Sequence, residues 1–437
     1  MNKKDRTLLF IFMSIVFLFV APTIIMYSQG YRFDIKKFQF VETGGIYIKA
    51  LPEETNLYIN DDYINKTSFF TRDILVQNLI PDSYKIRVEK EGYYSWEKNL
   101  DISKRTVTEA KYINLFKDDI SFNSISKNIE EIYPYNNEFL LLTSENELLS
   151  YDQKTIESFL STNKTPNNIE SISFSPSKEK ALINTTTGLY YLLNIKEKSV
   201  DLMRSISNEA KNVNFNFDEK GLIYQLNGSV YKIKDNSPKL LSREKVDCFT
   251  IYNNSIYALR ESNVIKINNL TEPEETLYSF NEYDSNNEYK IIFIENELFI
   301  LENNRNLYHL NNNLFELKIE SNYSLEYSSL FNRIIFYDKN NIWLMPLKRC
   351  ESPFFADAYE IINITSFDKE IDNIKWLNGD YFLLTINNEL YVSEVDNRDK
   401  LNIFSLNKTN TSNIFFNEKL FILDNNVFLE TIDNLDI

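Results

Sequence analysis

The chain has 437 residues and a net charge of −16, with 47 Lys and Arg against 63 Asp and Glu. That balance excludes a nucleic-acid binder, which needs a basic face to neutralise phosphates, and 43% hydrophobic with 14% aromatic residues excludes a disordered chain. Eight glycines, one histidine and two cysteines leave no Gly-rich phosphate loop and remove most metal sites, Cys-His dyads and Ser-His-Asp triads.

The composition is that of a β-rich binding protein with no cofactor and no metal expected. Asparagine occurs 56 times and stands in for glycine where turns need positive φ. Cys248 and Cys350 set no disulfide framework in a chain of this length and are expected as free, partly buried thiols.

Leu8 to Met26 is a run of nineteen residues without charge, broken only by Ser14, Pro22 and Thr23. It is long enough to cross a hydrocarbon core as a helix. A cleaved signal peptide should end at a small-x-small site, whereas this run ends Ile24-Ile25-Met26-Tyr27. A retained signal anchor is therefore expected at 8–27, after a short basic tail at 1–7 and before a linker at 28–39. Lys3, Lys4 and Arg6 precede the span while Arg32, Lys36 and Lys37 follow it, so the positive-inside count is balanced. The short tail before the span and the long body after it give the expected orientation: N-terminus cytoplasmic, body extracytoplasmic, single pass in the cell membrane.

From 40 to 117 the pattern turns to period two, as in Ile46/Ile48, Leu57/Ile59 and Tyr84/Ile86/Val88, with Val107 in a later strand. Turn signals fall at Gly44-Gly45, Asn60-Asp61-Asp62 and Pro81-Asp82-Ser83. The order Pro52-Glu53-Glu54-Thr55, Leu57-Tyr58-Ile59-Asn60-Asp61, Leu79-Ile80-Pro81-Asp82-Ser83-Tyr84 and Gly92-Tyr93-Tyr94-Ser95-Trp96 resembles a PEGA domain. Two departures are visible: the naming tetrapeptide reads Pro-Glu-Glu-Thr, and the usual Pro-Gly reads Pro-Asp. The resemblance implies a compact β-sandwich of the cell envelope, without catalytic residues. Tyr93, Tyr94 and Trp96 are expected to pack in its core or at its edge rather than stack on a ligand.

From 118 to 437 an apolar strand, an Asn- or Gly-bearing turn and a second apolar strand recur eight times. The first apolar residue after each turn falls at 148, 189, 230, 264, 307, 342, 390 and 427, a step of about 40 residues. That is the size of one four-stranded β-propeller blade. Phe174 to Lys180 resembles the Phe-Ser-Pro-x-Gly-Lys turn of TolB- and WD40-like propellers, without its glycine. The expected fold is thus an all-β body, a small sandwich plus a propeller of eight blades (seven if one hairpin is miscounted), behind one transmembrane helix. The eighth unit runs out at Ile437 one strand short, and Ile120 to Ile125 is a spare strand able to close it.

No catalytic, cofactor-binding or metal residue emerges, and the binding residues stay unassigned. His309 follows Leu307 by two positions, a slot filled by Lys232 and Lys266 in other repeats, and is expected on a solvated strand face. Glu130-Glu131 and Glu274-Glu275 are adjacent and should point to opposite faces of a strand. Residues 1–39 carry +4, 40–117 carry −1 and 118–437 carry −19, so the propeller could attract a basic partner or simply stay soluble. An insertion from Pro346 to Ala358, with Arg349, Cys350, Pro353, Phe354 and Phe355, is placed either to bind or to cover the sandwich.

The function expected is a non-catalytic, membrane-anchored envelope protein whose propeller binds a protein or glycan partner. An envelope assembly factor shares the same sequence features. A carboxylate-based propeller hydrolase or lyase would need a repeated acid on the innermost strands, and Ile172-Ser173-Phe174 and Ile374-Lys375-Trp376 offer none.

Overall fold

The computed structural model describes residues 3–432, apart from 36, 217–218, 220, 235–236, 243, 254, 268–273, 281–282, 312, 319–322, 329, 352, 410 and 418. The first two residues of the expected basic tail, Lys36 of the linker and the end of the last repeat at 433–437 lie outside them. An apolar helix, Lys3–Ser28, opens the chain, and the rest of the fold does not bury its apolar stretch. By length and composition it is a candidate single membrane span or signal anchor. A short hairpin of Tyr31–Asp34 with Gln39–Glu42 follows it.

The sandwich has two sheets. One orders Asp73–Leu79, Gly44–Leu51 and Val107–Asn114; the other orders Asp62–Lys66, Asn56–Ile59, Ser83–Glu89 and Trp96–Asp101. Alternate residues point inward, so Ile46, Ile48 and Ala50 of one sheet bury against Leu57, Ile59, Ile86, Val88 and Trp96 of the other. Gly44 is required where it stands, because a Cβ there would lie 2.1 Å from the Ser103 carbonyl oxygen.

Eight four-stranded antiparallel sheets make the propeller. Blades 1 to 7 span 129–160, 169–202, 211–240, 248–279, 289–318, 324–366 and 371–409. Blade 8 takes Thr411–Asn417, Lys419–Asp424 and Val427–Thr431, and its outer strand is Phe122–Lys127, which enters before blade 1 and pairs from Phe122 opposite Thr431 to Lys127 opposite Val427. First strands of neighbouring blades approach one another, as Cys248–Tyr252 does Tyr289–Ile294, and so surround the axis.

Each pair of neighbouring blades shares an apolar core, and these cores form a closed cycle. In blade 1, Leu140 and Leu142 face blade 2 while Phe139 and Leu141 face blade 8. The second strand of a blade is therefore buried on both faces. This accounts for unbroken apolar runs such as Phe139 to Leu142, Tyr381 to Leu384 and Leu420 to Leu423 where a half-buried strand would alternate. Each such side chain contributes roughly 1.5–3 kcal/mol by leaving water.

The asparagine excess has a backbone cause. Of the 28 non-glycine residues with positive φ among those described, 16 are Asn. Two-residue hairpins at Asn227-Gly228, Asn387-Asn388 and Asn425-Asn426 carry positive φ at both positions, the turn whose twist matches the flanking strands.

Candidate binding site

The sandwich is joined to blade 7 by buried ions. Lys98 is fully buried, and its three ammonium donors are all used: Nζ lies 2.8 Å from Glu394 Oε1 and donates to the carbonyls of Asp396 (2.7 Å) and Lys400 (2.8 Å). Glu394 also accepts from Trp96 Nε1 at 2.8 Å and from the backbone and side-chain nitrogens of Asn402 at 2.8 and 2.7 Å. Burial raises the Glu394 carboxyl above the usual carboxylate range, and Lys98 opposes that rise. Trp96 is thus a core residue of the sandwich, as expected, whose indole N–H also crosses the junction.

Around this pair, Asn99 donates twice to Asp399 Oδ2, Arg398 reaches the Glu109 carbonyl at 2.8 Å, and the Tyr381 hydroxyl accepts from the Asn114 N–H at 3.0 Å. Tyr94 stacks on Phe404 with ring centroids 5.5 Å apart.

The ends of the blades fix which way the ring faces. In an antiparallel blade the first-to-second and third-to-fourth connections share one end. The sandwich touches blade 7 at 377–381 and 394–402, both of that kind. The opposite mouth holds the starts of the first strands, and there a bulge recurs. An extra residue sits between Ile129 and Glu131, between Ile169 and Ser171, and between Ile371 and Asn373. The residues so extruded are Glu130, Glu170 and Asp372, all exposed. Blade 8 repeats the bulge between Ser412 and Ile414.

Bulges re-aim side chains at sheet ends, so blades 7, 1 and 2 present carboxylates at the mouth turned away from the sandwich. Two carboxylates of these first strands also tie down the facing turn or strand: Asp372 accepts the Asn388 N–H at 2.7 Å and Glu170 accepts from Asn184 Nδ2 at 2.8 Å. The expectation of no repeated acid on the innermost strands is corrected here. The acids lie at the strand starts, in blades 2 and 7 two residues ahead of the tripeptides that suggested their absence.

His309 is also corrected. It is 3% exposed rather than solvated, with its ring stacked 4.6 Å from Phe299 and Nε2 2.8 Å from Glu297 Oε2. The residue that follows the insertion causes this. Tyr359, at φ +65°, reaches back from blade 6 so that its ring lies 4.5 Å from His309 and its hydroxyl donates to the Glu297 carboxylate. It covers a slot that stays half-exposed for Lys232 and Lys266. Burial pushes the His309 imidazole below its ordinary value, against the pull of Glu297.

Phe354 and Phe355 do not cover the sandwich, as one of the two expectations had it. Phe354 packs into the core between blades 6 and 7, whereas Phe355 is exposed beneath the Arg349 guanidinium, 4.5 Å from its ring. Arg333 ties the loop to blade 7, donating to the Gly379 carbonyl at 2.6 Å and lying 3.1 Å from Cys350 Sγ. Both cysteines are buried thiols outside any disulfide, and burial pushes the Cys248 thiol up to about 12. A groove of about 720 Å³ between blades 2 and 3 mixes Lys180 and Arg204 with Asp201 and Glu219, so its charge selects no ligand.

No family model matches the chain, and no curated protein matches it. Solved structures similar to it include the computationally designed Ika8 protein, at 9% identity over 70% of this chain and 97% of that one, with a TM-score of 0.49. Sqt1 of Saccharomyces cerevisiae is similar at 10% identity over 73% and 99%, TM-score 0.49. BamB from Moraxella catarrhalis is similar at 9% over 72% and 99%, TM-score 0.45. Likenesses this distant say nothing of function, and the propeller stands on its own eight sheets and eight shared cores.

Proposed function

We propose that this chain is a non-catalytic, membrane-anchored envelope protein that holds its propeller out to a protein partner bearing a basic segment. The observation that carries the reading is the bulged arc of Glu130, Glu170 and Asp372 at the mouth opposite the sandwich. An arc of one sign of charge attracts and orients the opposite charge. The buried Lys98–Glu394 pair supports it, because it fixes the sandwich to the other end and so keeps the acidic mouth facing outward.

In this reading the helix is a retained anchor with its N-terminus in the cytoplasm, and the sandwich is a PEGA-like module of the extracytoplasmic surface. Its two-sheet architecture agrees with the resemblance of Pro52 to Trp96. Assembly of other envelope proteins is one task such a partner-binding propeller would perform.

The test is affinity capture from intact membranes with the wild type and with Glu130→Gln/Glu170→Gln/Asp372→Asn. The wild type retains a basic partner that salt releases, and the triple variant folds normally but loses it. A partner held equally by both would contradict the reading. Turnover of a polysaccharide abolished by the triple variant would instead favour a hydrolase or lyase.

A further inference from the structure

The hairpin that follows the helix breaks the turn chemistry of the rest of the chain. Where described turns need positive φ, the sequence mostly supplies Asn, yet at the tip of this hairpin Phe38 holds φ +53°. A bulky aromatic is disfavoured there. It is also 82% exposed, as is Ile35 beside it. Phe33 backs the tip, its ring 5.3 Å from those of Phe38 and Phe40, and none of the three belongs to the sandwich core. A soluble turn gains nothing from two bare apolar side chains and a strained aromatic.

Position supplies the reason. The helix ends at Ser28, and the Gly30 carbonyl accepts both the N–H of Thr43 (3.1 Å) and its hydroxyl (2.6 Å). The chain therefore enters and leaves the hairpin at one point, two residues past the helix end, and helix and sandwich both continue from its base. Two four-residue strands reach about 13 Å from that base, a distance comparable with the headgroup layer that flanks the hydrocarbon core. Tyr27 at the helix end, with the Arg32 guanidinium 4.5 Å from its ring, marks the level of that layer. Lys37 lies next to Phe38 with its ammonium 4.0 Å from Asp34 Oδ2, yet its side chain is 62% exposed and so open to headgroup phosphates.

We infer that the tip of this hairpin, Ile35 and Phe38 with Lys37, inserts into the headgroup region of an anionic bilayer as a second, interfacial contact beside the span. The inference rests on the reading of Asp5–Ser28 as a membrane span. Its consequence is orientation: a lone helix swivels, whereas a helix with an outrigger fixes the tilt of the body it carries. The exposed pair Phe69 and Phe70 makes the internal contrast. It is equally apolar, but it lies at the end of the sandwich where Arg72 meets Ala50, remote from the helix.

The test uses full-length protein in vesicles of phosphatidylcholine and phosphatidylglycerol. A fluorophore is attached at Phe17→Cys, Phe38→Cys or Phe70→Cys, the native cysteines being buried, and lipid-borne nitroxides are the quenchers. The account expects the label at 17 to be quenched by acyl-chain nitroxide, the label at 38 by headgroup-level nitroxide, and the label at 70 by neither. A label at 38 as unquenched as that at 70, with 17 quenched, overturns the hairpin inference and leaves the span intact. An unquenched label at 17 overturns the span, and the hairpin inference with it.

Discussion

The seams between blades and the seam between sandwich and propeller are built on opposite principles. Blades meet through apolar side chains from strands buried on both faces, so each seam is stabilised by the area it hides from water. The sandwich meets blade 7 through Tyr94 and Phe116 at its edge and, at its centre, through Lys98, Glu394, Trp96 and Asn402, where every donor and acceptor must be matched because none can reach solvent. An apolar seam tolerates a repeat shifted by a residue or two. The ionic seam admits one geometry, which suits a joint whose task is to fix direction.

The largest expected effect comes from opening the ring. Deleting residues 118–127 removes the strand Phe122–Lys127 and bares the edge of blade 8 at Val427–Thr431. Lost pairing and burial cost several kcal/mol, so the truncated protein should melt far lower or aggregate in a thermal scan. A melting midpoint equal to the wild type's would show that the ring is held by its apolar seams alone.

Glu394→Ala comes next. It strands a buried ammonium and should cost about 3–5 kcal/mol in denaturant unfolding. The pair Lys98→Met/Glu394→Leu, which removes both charges, should recover most of that loss. If the double variant is as unstable as the single one, the junction depends on packing rather than on charge satisfaction.

The smallest effect is at His309, where sequence position alone suggests none. His309→Gln should cost about 1–3 kcal/mol, since the ring is stacked between Phe299 and Tyr359 and faces Glu297. Its pH dependence has a defined sign. The folded value lies below the unfolded one of about 6.5, so the unfolded chain takes up the proton first and stability falls as pH drops below that value. Unfolding at about pH 7.5 and about pH 5.5 should show this loss in the wild type beyond that in His309→Gln. Parallel pH curves would place the imidazole in water.

These contrasts mark what the sequence makes legible. The blades can be read because their second strands are continuous apolar runs and their turns carry Asn at positive φ, both local properties. The alternation of Ile46, Ile48, Leu57 and Ile59 gives the sandwich for the same reason. The junction cannot be read, since Lys98 and Glu394 lie some 300 residues apart and each looks like an ordinary surface charge. His309 is misjudged because its burial comes from Tyr359, fifty positions on in another blade. The acidic arc had a faint signal in the repeated Ile-Glu, Ile-Glu and Ile-Asp at 129, 169 and 371, but only the bulges show that these residues are turned outward together.

The central claim is that sandwich and propeller form one rigid body, with the Glu130, Glu170 and Asp372 end of the ring turned away from the sandwich. It is tested most directly by the distance distribution between spin labels at Asn65→Cys in the sandwich and Lys239→Cys on the outer strand of blade 3, across the ring from blade 7. The account predicts a single narrow distance in the wild-type background and a broadened one when Glu394→Ala is added. A broad distribution in the wild-type background would contradict it.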